Sequence, residues 1–208
     1  INHSLSPKLH NFWIKQNRID AIYDKAKLNL DQVENLISQV KSKRINGINV
    51  TVPFKNTIIP YVDQLSTEAE KTKSVNTIYL NNDKVIGHNT DIDGFEKAIN
   101  KINFKVSDKR IFILGAGGVV PSIIYALNKM GAFNIFISNR TKAKAQMVKD
   151  IFNNLSILDW GDVPEFDVII NATSLGLNKN DNIELDLSST GKNKSVSYTH
   201  LTLPTISV

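Results

Sequence analysis

Residues 110–130 read RIFILGAGGVVPSIIYALNKM. The run Arg110-Ile-Phe-Ile-Leu114 is short, apolar and rich in β-branched and aromatic side chains, the composition of a buried strand. Gly115-Ala116-Gly117-Gly118 follows at once, and residues 119–130 carry a helical pattern. Pro121 fits there, because the first turn of a helix has amide donors without intrahelical partners. A strand, a glycine turn and a helix in this order can bind a pyrophosphate. Glycines allow close approach of the backbone, and the helix start offers free N–H groups and the positive end of the helix dipole. The third glycine of the dinucleotide fingerprint is replaced by Val120. An ordinary tight strand–helix turn is the competing reading, and the context favours the dinucleotide.

Composition narrows the class. The chain has 208 residues, 41% of them hydrophobic, enough for one large or two small domains with a real core. No segment nears the roughly 18 consecutive apolar residues of a membrane helix, and no signal peptide is recognisable. With no cysteine, thiolate metal sites, disulfides and a cysteine nucleophile are excluded. The four histidines are scattered, without metal-ligand spacing. The net charge of +5 comes from lysines spread along the chain rather than from a basic run. It reads as a solvated surface with a preference for small anions, not as a nucleic-acid footprint.

In the first half, Ser6-Pro7 reads as a helix cap followed by proline, with Leu9, Phe12 and Trp13 on one face. Ser4 and Ser6 cap the helix or offer two hydroxyls to a carboxylate. Residues 21–28 are a strand candidate, and residues 31–40 a helix capped by Asp31. In Gly47-Ile-Asn-Val-Thr-Val-Pro-Phe-Lys55, apolar residues alternate with Asn49 and Thr51 as in a strand that Pro53 ends. Lys55 then lies just past a strand's carboxyl end, where open α/β sheets bind ligands. Residues 67–72 form a helix, and residues 75–80 and 84–87 a hairpin about Asn81-Asn82-Asp83. Asp91 either caps the helix over residues 92–101 or waits as a carboxylate for a cation.

In the second half, residues 134–138 are the next strand and residues 141–152 the next helix. Asn139-Arg140-Thr141 sits about twenty residues past the glycine turn, where an acidic residue would select NAD. Here an amide, a guanidinium and a hydroxyl precede Lys142 and Lys144. Arginine suits bidentate phosphate contact, so NADP is favoured through its 2′-phosphate. Residues 155–158 and 167–171 are strands, the latter leading into Ala172-Thr173-Ser174.

Together, His3-Ser4-Leu5-Ser6-Pro7, Asn49-Val50-Thr51-Val52-Pro53-Phe54-Lys55, Asn76-Thr77, Asn89-Thr90-Asp91, Gly115-Ala-Gly-Gly118, Asn139-Arg140-Thr141 and Asn171-Ala-Thr-Ser174 resemble the shikimate dehydrogenases. Seven motifs in order are specific. The resemblance covers residues 1–194. It implies an α/β fold with an N-terminal α/β substrate domain (residues 1–93) and a Rossmann-type doubly wound NADP-binding domain (94–194), with a cleft between them. It implies NADPH-dependent reduction of 3-dehydroshikimate to shikimate in the chorismate pathway of aromatic amino-acid biosynthesis. Ser4 and Ser6 would hold the substrate carboxylate, and Thr51, Asn76 and Asp91 its ring hydroxyls. Lys55 would be the acid/base group, paired with Asp91. Gly115, Ala116, Gly117, Gly118, Val119, Asn139, Arg140, Thr141, Lys144 and Thr173 would hold NADP. The expected partners are a small-molecule substrate and, as an assembly, a homodimer, with no nucleic acid or membrane. The expected location is the cytoplasm.

The chain departs from the family in three places. Lys73-Ser74-Val75 stands where the family usually has Gly-Ala-Val. The family's first strand is not found, and residues 195–208 carry no family motif and are set outside the fold. A chain of this extent is expected to be poorly soluble and nearly inactive. Two alternatives are an NAD-dependent quinate/shikimate dehydrogenase and a non-catalytic binding protein on the same fold.

Overall fold

The computed structural model describes residues 4–132, 134–176, 185–188, 190 and 194–198. His3 and the chain beyond residue 198 lie outside the described residues. Helix α1 (Ser6–Gln16) comes first. Leu5, not Ser6, occupies its cap position, and Ser4 Oγ accepts the Ser6 amide at 3.3 Å. Its apolar stripe of Leu9, Phe12 and Trp13 remains about half exposed. Residues 21–28 form no strand. The Asn11 side chain takes both backbone groups of Tyr23, each at 2.8 Å, so the segment is tied to α1 by an amide rather than by a strand partner. A 3-10 turn (Leu30–Gln32) leads into α2 (Val33–Lys41). Asp31 is therefore not the cap; the Asn29 amide donates to Gln32 Oε1 at 2.8 Å instead.

Strand β1 (Gly47–Asn49) is shorter than its alternation suggests, and Pro53 stands at the start of the one-turn helix α3 (Phe54–Thr57). Then follow β2 (Gln64–Leu65), α4 (Thr67–Thr72), β3 (Thr77–Asn81) and β4 (Lys84–His88). Ser66 Oγ caps α4 by accepting the Ala69 amide at 3.2 Å. The β3–β4 hairpin turns on Asn82 and Asp83, both at positive φ (47° and 58°), as a tight two-residue turn requires. The sheet order is β1-β3-β4-β2, antiparallel except for β2 beside β4. Val33, Ile37, Val40, Ile58, Val75, Ile78 and Val85 pack its core.

Helix α5 (Asp91–Lys101) leads to β5 (Arg110–Leu114), α6 (Val120–Lys129), β6 (Asn134–Ser138), α7 (Lys142–Lys149), β7 (Leu155–Leu158) and β8 (Val168–Asn171). The last strand, β9 (Ser195–Tyr198), belongs to a segment that carries no sequence motif, yet it pairs with β8. All five strands are parallel, in the order β7-β6-β5-β8-β9. In chain order this is 3-2-1-4-5, the dinucleotide-binding arrangement, whose crevice opens where the order reverses between β5 and β8. Strand β5 is central, with Ile111, Phe112, Ile113 and Leu114 buried on both faces.

At the opposite end of β5, Asp167 accepts the Arg110 backbone amide (2.9 Å), Nε (3.2 Å) and Nη2 (3.1 Å). The guanidinium holds its carboxyl down at about 2, below the ordinary 3.8. A depressed carboxyl stabilises the fold above the unfolded-state value and loses that contribution as the pH falls through the folded one. The urea-midpoint advantage of the wild type over Asp167→Asn should therefore be full at neutral pH and vanish between roughly pH 4 and pH 2. A pH-independent gap would show that the clamp does not depend on charge.

Candidate active site

Asp91 opens α5, but its side chain does not cap the helix. Asp91 Oδ2 accepts Lys55 Nζ at 2.6 Å, and Oδ1 accepts Asn76 Nδ2 at 2.8 Å. The lysine and aspartate side chains are 11% and 23% exposed. That is dry enough to strengthen their attraction and open enough for a ligand to reach them. The position at the start of α5 suits the carboxylate, since the helix dipole is positive there. Asn76 is held in turn: its Oδ1 accepts the Thr90 amide (2.9 Å) and Thr77 Oγ1 (2.9 Å). Sequence spacing alone does not distinguish cap from counter-ion for Asp91; the 36-residue separation from Lys55 closes only in the fold.

The glycine turn lies against this pair. A Cβ added to Gly118 would sit 3.7 Å from the Lys55 side chain. Gly115 has φ +103°, and a Cβ there would fall 2.9 Å from the backbone of Ala172 and 3.0 Å from Thr173. The loop after β8 is therefore packed on the loop after β5. The Gly115 amide donates to Ser138 O (2.8 Å) and the Ala116 amide to Asn139 Oδ1 (3.2 Å). The amides of Gly117, Gly118 and Val119 donate to no backbone carbonyl among the described residues. Free donors at the start of a ten-residue helix fit a pyrophosphate.

Asn139 Nδ2 also donates to Thr141 O at 2.8 Å, shaping the loop after β6. Arg140, Thr141 and Lys144 are exposed, and no carboxylate pairs with Arg140 or Lys144 among the described residues. Lys142, by contrast, is taken by Asp159 at 2.6 Å. Two cations without a carboxylate partner among the described residues suit a 2′-phosphate better than a bare ribose diol.

The structure thus brings Lys55, Asp91, Asn76 and the glycine turn together, and Asn139 and Thr173 to that turn. Thr51 is exposed beside α3, and neither serine is hydrogen-bonded to the Lys55 cluster among the described residues. Tyr23, which the sequence reading did not single out, joins α1 to the sheet. Its hydroxyl donates to Asn49 Oδ1 at 3.0 Å, and burial pushes the phenol upward. No signal in the sequence marks it, since the tie runs through Asn11 and Asn49. Among the described residues no cluster of metal-ligating side chains occurs, and no helix is long and apolar enough to cross a membrane.

Comparisons with known proteins point to one family. The family model described as the shikimate dehydrogenase substrate binding domain matches residues 1–78, and that of shikimate / quinate 5-dehydrogenase matches residues 96–196. The shikimate dehydrogenase (NADP(+)) of Pelagibacter ubique is 50% identical over 194 residues, covering 93% of this chain and 73% of that protein. The crystal structure of shikimate dehydrogenase from Aquifex aeolicus superposes with a TM-score of 0.84 at 35% identity, covering 95% of this chain and 74% of that one. The Thermus thermophilus shikimate 5-dehydrogenase, in complex with NADP(H) and shikimate, superposes with a TM-score of 0.76 at 28% identity, covering 85% of this chain and 66% of that one.

Replacing Gly115 by alanine combines an unfavourable positive φ with a 2.9 Å clash against backbone that cannot swing away. Gly115→Ala should lower stability by about 2 kcal/mol or more and weaken NADPH binding in an equilibrium titration. Unchanged stability and affinity would mean that the β5 and β8 loops separate freely.

Proposed function

The chain belongs to the shikimate dehydrogenase family, and on that footing we propose that it catalyses the reversible NADPH-dependent reduction of 3-dehydroshikimate to shikimate. The observation that carries this reading is the Lys55–Asp91 pair, at 2.6 Å, with the glycine turn against the lysine stem. A biosynthetic role in the aromatic amino-acid pathway supports the cytoplasm as its place of action. The two sheets and the two family matches support a division into a substrate domain (residues 1–93) and an NADP-binding domain (residues 94–194), to whose sheet Ser195–Tyr198 adds a strand.

NADPH, when bound, supplies the hydride. The residues suited to hold it are the Gly115–Val119 turn, Asn139, Arg140, Thr141, Lys144 and Thr173. Addition of a hydride to the substrate ketone develops negative charge on its oxygen. The Lys55 ammonium stabilises that charge and donates the proton from Nζ; in the reverse direction the neutral amine accepts the hydroxyl proton. Asp91 orients the amine, and Asn76 fixes the carboxylate's other oxygen so that it does not rotate away. Ser4, Ser6 and Thr51 are assigned to the substrate carboxylate and hydroxyls through their match to the family motifs.

Loss of NADPH absorbance on adding 3-dehydroshikimate tests the reading. Lys55→Ala should lower kcat by about 10²–10⁴-fold and leave NADPH affinity little changed. Wild-type protein that oxidises no NADPH with this ketone, or a variant within tenfold of wild type, would count against it. Repeating the assay in reverse with quinate and NAD settles the nearest rival chemistry.

A further inference from the structure

Four buried polar side chains stand outside the machinery so far described: Thr72 (0% exposed), Ser74 (0%), Asn89 (1%) and Ser122 (0%). They come from the end of α4, the loop after it, the loop before α5 and the first turn of α6. All four join one network. Asn89 Nδ2 donates to Ser122 Oγ (2.8 Å), Thr72 Oγ1 (3.0 Å) and the Ser74 carbonyl (3.0 Å), so one of its two N–H groups is shared. Asn89 Oδ1 accepts the Asp91 amide at 3.0 Å. One side chain therefore connects α4, the first turn of α6 and the backbone of the Lys55 counter-ion.

A second tie runs beside it. Ser74 Oγ donates to the Gly118 carbonyl at 3.2 Å. The next residue, Val75, donates its amide to the Lys55 carbonyl at 2.8 Å. The residue after that, Asn76, donates to Asp91 Oδ1 at 2.8 Å. Three consecutive residues thus grip the glycine turn, the lysine backbone and the aspartate carboxylate. Ser74 lies at a point where the chain departs from the family pattern, and Lys73 before it is exposed and left-handed, with φ 50°.

We propose that Ser74 and Asn89 are positioning residues that hold the NADP seat in register with the Lys55–Asp91 pair, Ser74 through the Gly118 carbonyl and Asn89 through Ser122. The inference rests on the functional reading above, because register matters only if a hydride must cross from one unit to the other. Apolar contacts resist separation but permit sliding. Hydrogen bonds fix distance and direction, and a buried group that loses its partner keeps its desolvation cost. Sideways motion of the turn relative to Lys55 is therefore opposed from two directions.

Truncating Asn89 would orphan several buried groups at once, so the test uses variants that remove a single oxygen: Ser74→Ala, Ser122→Ala and both together. Lys73→Gly is the neighbouring control. With 3-dehydroshikimate and NADPH, each serine variant should lower kcat about three- to tenfold, the scale of one lost hydrogen bond. The KM for 3-dehydroshikimate should stay within about twofold. The deuterium isotope effect on kcat, with NADPH labelled at the transferred position, should rise toward the intrinsic value. The two losses should not multiply in the double variant, because both ties steady the same turn. Lys73→Gly should keep wild-type kcat. A serine pair that keeps wild-type kcat and isotope effect while only Tm falls would overturn the proposal. If the wild type itself fails to turn over, the functional reading fails instead. NADPH affinity then decides the positioning role: Ser74→Ala weaker than wild type supports it, and equal affinity sinks it.

Discussion

The structure depends on a carboxylate that is held from three sides. Asp91 meets Lys55 Nζ with one oxygen, Asn76 Nδ2 with the other, and Asn89 Oδ1 with its backbone amide. An exposed ion pair of this type would contribute about 0–1 kcal/mol and wander among rotamers. A fully buried one would face a desolvation cost that its attraction need not repay. This pair lies between those limits. Its charges are partly shielded from water, both carboxylate oxygens accept a hydrogen bond, and the helix dipole of α5 favours the acid. What the arrangement secures is geometry: an amine held in one orientation beside the glycine turn.

That geometry explains the division of labour between the sheets. The mixed sheet β1-β3-β4-β2 presents polar side chains at the ends of β1 and β3 and at the turn into α3, so it can supply Lys55, Asn76 and Thr51. The parallel sheet is buried along its central strands β5 and β8 and offers function at their carboxyl ends. There it places the glycine turn, Asn139 and Thr173. Neither sheet alone contains both the glycine turn and the Lys55–Asp91 ion pair. The contact of Gly118 with the lysine stem is where the two become one site.

The parallel sheet was the most legible part of the chain. β5, β6 and β7 have the limits their apolar runs suggest; β5, central and buried on both faces, must be apolar almost throughout. The candidate site was legible as a set of motifs, but not as contacts. Asp91 looks like a cap in any local reading, and only the long-range meeting with Lys55 assigns its side chain. Residues 21–28 mislead because β-like composition is not enough without a partner strand; Asn11 supplies a side-chain substitute instead. Ser195–Tyr198 misleads in the opposite direction. A short parallel strand at a sheet edge needs little sequence signature when β8 provides the template. Asn89 is legible in the sequence only as the first residue of the Asn89-Thr90-Asp91 motif, since the burial of its amide depends on neighbours drawn from three other segments.

The buried hydroxyls between the two units are therefore best understood through the tolerance of the reaction. Hydride transfer needs reacting atoms held about 3–3.5 Å apart, and an error of 1 Å can cost on the order of 100-fold in rate. The donor would be seated by one sheet and the proton source by the other, so the joint between them must be as exact as either site. A wholly apolar joint would be simpler and, residue for residue, no less stable. It would also leave the turn free to settle in several neighbouring positions. Directional bonds from Ser74 to Gly118 and from Asn89 to Ser122 narrow those positions. Their presence at full burial, where an unpaired hydroxyl is most costly, is the feature a merely packed interface would not need.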